Sequence, residues 1–558
     1  MKRSIHMLFA AILLLGMGCA KDKQNELPGH LPDDHNMAAS TVRLILLEGK
    51  SDLMVNGEKL TSWEVPIQAN GQEYPFPTKY FPTSGKLSGT YTLPQQFING
   101  AGQATVKLYI AGSQQIVPPV PDYLLDSFVV NNNYQQPLDY YIGTKAGNNG
   151  TGIGSTMAVP RGITAPARPD HIRVRLVNLS LDELPKLTLA YADGSPVSDI
   201  TSGIDNYKWS DYVELPYGTY QFKVLVDGES WQIPGKTPMT IEMPTPTDFS
   251  YSGNQLYYAP VYPYQPGGVY TIVVAHSAKS NYWFGDGQNP TPAFSVITDV
   301  TPAANLTYAR IQAANAASET GLQWQIDGGA PASVAYATAS DYSTLIAGMH
   351  TISFTDAKGK KVAEKKMTIN AGDNLTLWAY PGNGDSAAIT VIQNNMSGKR
   401  VMSPNDDGSD ASQWVYDPLK DHMLLQTRFL NLCPDLPYIT FTGPNGASFF
   451  SNFYADARAA QNLRPGQAPD ATVIPYPYVD MGIVTGGVVQ AFSSRPQVIP
   501  GNRLTDVTPL STSDFVRMPA YYVRNGKPDA EGGVYTVALI GREDATHHPR
   551  LIVVKHNQ

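Results

Sequence analysis

Apolar and polar residues alternate along most of this chain in short runs separated by glycine, proline, asparagine and aspartate. Alternation with a period of two puts successive side chains on opposite faces of a strand, so the pattern predicts a β protein. Four stretches share one order: an arginine-led apolar strand, a second alternating strand, and a two-residue turn signal. They are TVRLILLEGKSDLMVNG from Thr41, RVRLVNLSLDELPKLTLAYADG from Arg173, TYARIQAANAASETGLQWQIDG from Thr307 and QTRFLNLCPDLPYITFTGPNG from Gln426.

Each of these stretches ends in Asn-Gly or Asp-Gly, the dipeptides that favour a tight turn because both residues can reach positive φ. A glycine-led strand follows in every copy, and Tyr220, Phe222 and Val224 alternate onto one face of the second. Each copy then closes with a strand pair. The predicted pairs are 138–144 with 156–162, 269–276 with 293–300, 374–380 with 387–394, and 534–541 with 549–556.

About six or seven strands in roughly 100 residues are typical of an immunoglobulin-like sandwich. We therefore predict an all-β chain of tandem immunoglobulin-like β-sandwich domains after a flexible N-terminal tether. The predicted divisions are a signal peptide at 1–18, a tether at 19–39, and repeats at 40–163, 164–300, 301–397 and 398–558, the last with a linker and an insertion. The only helical pattern is a short one at 456–463.

The N-terminus has the order of an export signal: Lys2 and Arg3, then the apolar run Leu8–Leu15, then small residues before Cys19. This resembles the lipobox of bacterial lipoproteins, which implies lipid attachment at Cys19 and a membrane partner, although Gly16 stands where that motif prefers leucine. Cleavage as an ordinary signal peptide is the alternative. The Lys-Asp pair after Ala20 resembles the tags of surface lipoproteins. We expect a cell-envelope, outer-membrane lipoprotein, surface-exposed or periplasmic.

Composition narrows the possible partners. Charged residues are only 16% of the chain, the net charge is −8, and no basic stripe is present, so nucleic acid is not an expected partner. With 48 Gly, 44 Pro and 32 Tyr, the chain suits an extracellular β protein. Of the two cysteines, Cys433 lies in an apolar run, and we expect a buried thiol and no disulfide framework.

No motif for catalysis or cofactor binding stands out: Gly-x-Ser-x-Gly, His-Glu-x-x-His, Cys-x-x-Cys and a phosphate loop are all missing from the sequence. We expect no enzyme activity, no cofactor and no metal. His547-His548 lie in a predicted loop and are expected at the surface. The segment SPNDDGSD at 403–410 resembles the middle of a calcium loop, but Trp414 stands where the bidentate acid belongs, and a solvated acidic linker is the simpler interpretation.

Two sets of residues could contact a ligand. Aromatic residues crowd the second repeat (Tyr251, Tyr257, Tyr258, Tyr262, Tyr264, Tyr270 and Tyr282-Trp283-Phe284) and recur at Tyr476 and Tyr478. Exposed rings stack on sugars, with Trp283 the weak ligand-binding candidate, but alternating tyrosines also cover sheet faces. The strand arginines (Arg43, Arg175, Arg310 and Arg428) could be repeated ligand contacts; covering a sheet edge or pairing with an acid is the alternative.

The order of Arg-led strand, turn dipeptide, glycine-led strand and closing pair resembles the bacterial repeats classed as domain of unknown function 4397, best over 308–394. The resemblance implies secreted or surface β-sandwiches, often lipid-anchored, with no established activity and no catalytic residues to transfer. We expect a non-enzymatic cell-envelope lipoprotein with a structural, binding or adhesion role, contacting a surface protein or glycan through its loops. The alternatives are a glycan-binding accessory of polysaccharide uptake and an enzyme with an inter-domain site.

Overall fold

The computed structural model describes residues 38–60, 67–69, 72–74, 87–110, 123–144, 153–179, 186–226, 239–241, 262–277, 291–396, 425–449, 456–470, 472–474, 477–480, 488–515, 523–524, 527–528, 533–544 and 548–557. The chain forms two compact units, Met1–Pro160 and Arg161–Gln558. The sheets within the four predicted repeats are called sandwich 1 to sandwich 4. Sandwich 1 belongs to the first unit and the other three to the second.

Sandwich 1 is organised around one long strand. Its strands are β1 (Ala39–Val55), β2 (Glu58–Lys59), β3 (Ile67–Ala69), β4 (Gln72–Tyr74), β5 (Leu87–Pro94), β6 (Gln103–Ile110), β7 (Tyr123–Asn131), β8 (Leu138–Thr144) and β9 (Ile153–Pro160). The first half of β1 pairs with β5 and β8, and its second half pairs with β2 and β6. The core contains Leu44, Leu53, Val106 and Ile142, all fully buried.

The strands of sandwich 2 are β10 (His171–Leu179), β11 (Lys186–Ala190), β12 (Ile204–Asp205), β13 (Lys208–Trp209), β14 (Val213–Pro216), β15 (Gly218–Tyr220), β16 (Lys223–Val226), β17 (Met239–Ile241), β18 (Tyr262–Tyr264), β19 (Val269–Ser277) and β20 (Thr291–Val300). Those of sandwich 3 are β21 (Tyr308–Asn315), β22 (Leu322–Ile326), β23 (Ala332–Val334), β24 (Ser343–Ile346), β25 (Gly348–Thr355), β26 (Lys361–Ile369), β27 (Asn374–Pro381) and β28 (Ala387–Gln393).

Sandwich 4 contains β29 (Leu425–Asn431), β30 (Ile439–Thr442), β31 (Val479–Asp480), β32 (Gln490–Arg495), β33 (Val498–Arg503), β34 (Val523–Arg524), β35 (Lys527–Pro528), β36 (Gly533–Ile540) and β37 (Arg550–Lys555). Short 3₁₀ helices occupy Gln95–Phe97, Asp199–Thr201, Pro444–Gly446, Ala457–Ala460 and Thr512–Phe515. The helix predicted at 456–463 is therefore one 3₁₀ turn, which the Asp456 side chain caps. Among the described residues, no helix has the length and apolar character needed to cross a membrane.

One topology recurs in sandwiches 2, 3 and 4. The opening strand lies parallel to the first closing strand (β10 with β19, β21 with β27, β29 with β36), and the second closing strand adds antiparallel. The second opening strand pairs instead with the glycine-led strand of the other sheet (β11 with β16, β22 with β25, β30 with β32). The all-β prediction and the closing pairs are confirmed. The immunoglobulin-like assignment of the sandwiches stays a prediction.

Three of the four turn dipeptides have the predicted positive φ at both residues. Asn56, Asp327 and Asn445 have φ of 49°, 51° and 58°, and the glycine after each also has positive φ. At Asp193-Gly194 only the glycine does, with φ of 84°. Positive φ costs little for glycine and for the short polar residues that precede it, so these turns are sequence-determined.

Sandwiches 3 and 4 share a second hydrophobic core. Leu375, Leu377 and Ala379 of β27 face the core of sandwich 3, whereas Trp378 points the other way and is fully buried. It packs in a cluster with residues from the outer face of sandwich 4, namely Leu430, Leu432, Ala538, Ile540, Ile552 and Val554. Strand β36 is consequently buried at every position. A strand covered on both faces in this way reads in sequence as a continuous apolar run.

Sandwich 2 joins this pair through its β14–β15 corner. Tyr217 packs beside Tyr308 of sandwich 3 with ring centroids 6.1 Å apart. Farther along, Gln221 Oε1 accepts hydrogen bonds from Lys555 Nζ at 2.6 Å and Asn557 Nδ2 at 3.0 Å in sandwich 4. The three sandwiches of the second unit are thus tied together by both apolar and polar contacts.

Candidate functional site

The four strand arginines are buried. Exposure is 6% for Arg43 and Arg428 and 2% for Arg175 and Arg310. Arg43 forms a buried ion pair with Asp139, with Nε 2.8 Å from Oδ1. Burial lowers the pKa of the Arg310 guanidinium. Pairing with an acid and packing of the stem are therefore confirmed for Arg43, and none of the four presents an open guanidinium to a ligand in solution.

In sandwiches 2 to 4 each arginine lies over a tyrosine ring. The distances from guanidinium carbon to ring centroid are 4.6 Å for Arg175 and Tyr212, 4.4 Å for Arg310 and Tyr342, and 4.5 Å for Arg428 and Tyr478. Each tyrosine immediately precedes the short strand (β14, β24 or β31) that pairs with the opening strand. Burial raises the pKa of Tyr342 to about 12, so the neutral phenol faces the cation at neutral pH. These stacked pairs are part of the framework.

The strand register shows that the arginine of sandwich 3 is not equivalent to the others. Opening-strand residues and their partners on the closing strand are Arg43 with Asp139, Arg175 with Thr271, Arg428 with Thr536, Arg310 with Asn374, and Gln312 with Thr376. The residue opposite the closing-strand threonine is therefore Gln312 in sandwich 3 and an arginine in sandwiches 2 and 4. Sequence comparison aligned the arginines and missed this two-residue offset.

A polar side chain at the end of the last strand completes each cluster. In sandwich 2, Asp299 accepts hydrogen bonds from Thr271 Oγ1 and, at 2.7 Å, from Tyr212. In sandwich 3 the same place holds Asn394, whose Nδ2 donates to Thr376 at 2.7 Å and to Tyr342 at 2.9 Å. In sandwich 4 it holds His556. The clusters share a plan, but their chemistry differs from one sandwich to the next.

The clusters of sandwiches 3 and 4 meet at a junction. His556 Nδ1 lies 2.7 Å from Gln312 Nε2 and 3.4 Å from Thr376 Oγ1, and His556 Nε2 lies 2.8 Å from Thr536 Oγ1. Gln312 Nε2 also donates to Thr376 Oγ1 at 2.8 Å. Gln312, Thr376 and His556 are 3%, 0% and 2% exposed. An amide, a hydroxyl and an imidazole are therefore in mutual contact away from bulk water.

A cavity of about 310 Å³ adjoins this junction. It is lined by Gln312, Ala337, Thr338, Ala339, Ser340, Asp341, Tyr342, Asp514, Phe515, Tyr535, Val553, Val554, Lys555, His556 and Asn557. Asp341 and Asp514 are exposed, so the cavity wall runs from buried polar groups to the surface. Across the described ranges, no group of three or more His, Cys, Asp or Glu residues could hold a metal ion.

Sequence reasoning missed a buried asparagine near the end of the opening strand. Asn178, Asn315 and Asn431 are fully buried. The Nδ2 groups of Asn315 and Asn431 donate to carbonyls of Ser318 and Leu436 where the chain crosses between the sheets, and that of Asn178 donates to Ile204 in β12. The signal was available, because each asparagine stands three residues after the position opposite the threonine. Its role is to satisfy backbone groups that the crossover leaves unpaired.

The described tyrosines of the aromatic set belong to the core. Tyr264 and Tyr270 are 2% exposed, and their rings meet edge-on at 4.9 Å beside Tyr262. Tyr478 is likewise buried. The interpretation of alternating tyrosines as sheet cover is confirmed for these residues. Tyr251, Tyr257, Tyr258, Tyr282, Trp283, Phe284 and Tyr476 lie outside the described residues.

The remaining predicted sites have mixed outcomes. Cys19, the segment 403–410, Trp414 and His547 lie outside the described residues, while His548 is exposed in its loop as expected. Cys433 is a free, fully buried thiol in the core of sandwich 4, which confirms that prediction. Burial raises the pKa of the Cys433 thiol to about 11.

Several of the exposed apolar side chains fall into two groups. Strand β7 is at the edge of its sheet and exposes Tyr123 (62%), Leu124 (53%) and Val129 (50%). At one end of sandwich 3, Leu306 (82%), Ile346 (65%) and Met349 (59%) form what we call the apolar corner. Its segments are adjacent because Tyr308 pairs with Ile346. Exposed apolar groups that gather in one place are typical of interaction surfaces.

Strand β26, at an edge of sandwich 3, is charged where the apolar corner and β7 are apolar. Strand β26 carries Lys361, Lys365 and Lys366, and it follows a turn with Lys358 and Lys360. Lysine along an edge strand discourages pairing with another strand.

No family model and no curated protein matches this chain. The resemblance to the domain of unknown function 4397 repeats therefore stays a prediction. Among solved structures, the Bacillus anthracis TIE protein is 12% identical, with 61% of this chain and 49% of that chain covered and a TM-score of 0.11. The chain spans about half the length of that protein. A proposed cell adhesion protein from Bacteroides fragilis is 10% identical, with 63% and 97% covered and a TM-score of 0.12. TM-scores this low carry no argument about fold or function.

Proposed function

We propose that this chain is a non-enzymatic binding or adhesion protein of the cell envelope, held at the membrane by a lipid on Cys19. The observation that carries the proposal is that the residues common to the sandwiches lie in the framework, whereas the exposed residues differ from one sandwich to the next. The arginines that the sandwiches share are buried, and the tyrosines stacked on them are buried or half-buried. Contacts with a partner must then come from surface features that differ between sandwiches.

Two such features support the proposal, and each belongs to one sandwich alone. The apolar corner exposes Leu306, Ile346 and Met349 together, and apolar side chains gain free energy when a partner removes them from water. Strand β7 is at the edge of its sheet and exposes Tyr123 and Leu124, and a sheet edge is the arrangement to which an extended peptide adds as a further strand. Both features favour a protein partner.

The anchor is tested by replacing its cysteine in the full-length chain. Cys19→Ser should abolish incorporation of a clickable palmitate analogue and release the protein from the membrane fraction. Cys433→Ser is the matched control, since the chain has two cysteines and the other is buried in a core. It should retain both label and membrane fractionation. Labelling and membrane retention that persist in Cys19→Ser would remove the lipid anchor from the proposal.

Binding is tested with the purified mature chain on arrays of extracellular proteins and of glycans. We expect a protein ligand whose signal falls at least tenfold when Leu306, Ile346 and Met349 are all changed to serine. Val498→Ser, which removes another exposed apolar side chain, is the control and should bind normally. Signal on glycans alone, lost in Trp283→Ala, would replace the proposal by the glycan-binding alternative. An unchanged signal in the triple variant would overturn the role of the apolar corner.

A further inference from the structure

The junction of sandwiches 3 and 4 brings together a hydroxyl, a carboxamide and an imidazole, which are the groups needed for an acyl transfer. Thr376 and Gln312 stand opposite each other on parallel neighbours β27 and β21. Gln312 Nε2 lies 2.8 Å from Thr376 Oγ1, and His556 Nδ1 lies within 2.7 Å of that nitrogen and 3.4 Å of that oxygen. One ring nitrogen therefore contacts both a nucleophile and the leaving group of an acyl donor.

The tautomer of His556 fits a proton shuttle. Thr536 Oγ1 lies 2.8 Å from Nε2 and orients the ring when that nitrogen carries the proton. Nδ1 is then the lone-pair nitrogen, and it accepts from the Gln312 amide. A neutral imidazole held by a second group, with its basic nitrogen on the nucleophile, is the arrangement that activates hydroxyls in acyl transfer.

We propose that Thr376 and Gln312 become joined by an intramolecular ester, formed once by the folded chain with His556 as acid–base catalyst. Thr376 Oγ1 attacks Gln312 Cδ after a short rotation of the amide, while His556 Nδ1 takes the hydroxyl proton. The tetrahedral intermediate collapses with cleavage of the Cδ–Nε2 bond, and Nδ1 returns the proton to the departing nitrogen. The products are the ester and one molecule of ammonia, so no oxidant or co-reactant is needed.

The surroundings provide the remaining requirements. Asn394 Nδ2 donates to Thr376 Oγ1 at 2.7 Å and so fixes the position of the attacking oxygen. The cavity beside Gln312 and His556 extends to exposed Asp341 and Asp514, which gives ammonia a path to solvent. Thr376 itself is fully buried, so water has poor access to the ester once it has formed.

The other sandwiches lack one or more of these components. Arginines, which cannot act as acyl donors, stand opposite Thr271 and Thr536, and the partner of Thr271 at the end of the last strand is Asp299. Among the described pairings of an opening strand with a first closing strand, only that of sandwich 3 places a glutamine opposite a threonine. Its catalyst comes from sandwich 4, so packing of the two sandwiches must precede the reaction. Gln312, which stands where sandwiches 2 and 4 have an arginine, is the acyl donor in this proposal.

Intact-mass spectrometry of the purified mature chain tests the proposal. We expect the wild-type mass to be lower than the sequence mass by one ammonia molecule. Fragmentation of a digest should show a peptide containing Gln312 linked to one containing Thr376. Thr376→Val and Gln312→Met should each have the full sequence mass. Thr271→Val, which removes the equivalent hydroxyl opposite an arginine, should retain the deficit.

His556→Phe separates catalysis from packing. It keeps both reacting groups, and its deficit should accumulate about 10²-fold more slowly than in the wild type, as expected when a general base is removed. A wild-type chain at full mass overturns the proposal whatever the variants do, as does a deficit located at an asparagine or at the N-terminus. The readout is independent of the binding arrays: a failed search for a ligand leaves the mass unchanged, and a full mass leaves the binding proposal standing.

Discussion

Two tryptophans of sandwich 3 allow a comparison of how much stability the interface with sandwich 4 and the internal core of sandwich 3 each contribute. Trp378 is 0% exposed and belongs to the cluster shared with sandwich 4, whereas Trp324 is 3% exposed and belongs to the core of sandwich 3. Neither indole N–H has a hydrogen-bond partner among the described residues. Trp378→Ala therefore removes about as much apolar packing from the shared cluster as Trp324→Ala removes from the core of sandwich 3.

The two losses should be similar in size. A buried tryptophan covers about 200 Å², which at ~25 cal/mol per Å² corresponds to roughly 5 kcal/mol. Measured Trp→Ala substitutions in cores cost about 3–5 kcal/mol. At roughly 2–4 °C per kcal/mol for a domain of this size, a shift on the order of 10 °C is expected. The difference between the variants should be in which transition moves.

Differential scanning calorimetry of the mature chain, with limited proteolysis mapped by mass, provides the assay. Trp378→Ala should uncouple sandwiches 3 and 4, so that the thermal transition splits in two and proteolysis releases the two sandwiches as separate fragments. Trp324→Ala should lower the melting temperature of sandwich 3 itself, and sandwich 4 should stay attached to the part of the chain that is still folded. Identical thermograms and identical cleavage patterns for the two variants would refute the view that the shared cluster is a separate source of coupling.

Three further outcomes are expected. Asp139→Asn leaves Arg43 buried without its counter-charge and should cost about 3–5 kcal/mol in urea unfolding; a loss under about 1 kcal/mol would contradict the ion-pair assignment. The Thr351 backbone N–H is the main cause that lowers the pKa of Asp327, so its stabilisation is present above about pH 4 and is lost as the pH falls further; Asp327→Asn should therefore be less stable than wild type at pH 7 and nearly equal at pH 3. The Cys433 thiol should resist iodoacetamide at pH 8 in the native chain and react after unfolding, and rapid native labelling would contradict its burial.

Features that depend on a few adjacent residues could be predicted from the sequence. Asp327-Gly328 required no tertiary information, because the dipeptide itself favours positive φ. Alternation likewise placed Tyr220 and Phe222 in the core, where their rings stack at 4.8 Å. The closing pairs were predictable for the same reason: apolar alternation on both sides of a variable loop.

Features that depend on register or on packing between repeats could not be predicted. Arg310 and Gln312 lie on the same face of β21, and only the pairing with β27 shows which of them faces Thr376. The contact with His556 crosses 244 positions of sequence, and nothing local indicates it. Burial of the strand arginines was equally hidden, because a tyrosine that covers an arginine and one that faces solvent look alike in sequence.

Two of the edge strands, β26 and β7, differ in how readily they could pair with a neighbouring copy at high local concentration. Copies of the chain held on a membrane by the proposed lipid anchor would meet often, and an exposed strand edge could then pair with the same edge of a neighbouring copy. Strand β26 carries a row of lysines, so the positive charges of two copies would repel each other along that edge. Strand β7 has no such row of lysines and exposes Tyr123 and Leu124 instead. If copies associate laterally, or a foreign strand is captured, β7 is where the contact would begin, and a single lysine placed at Val129 would be enough to discourage it.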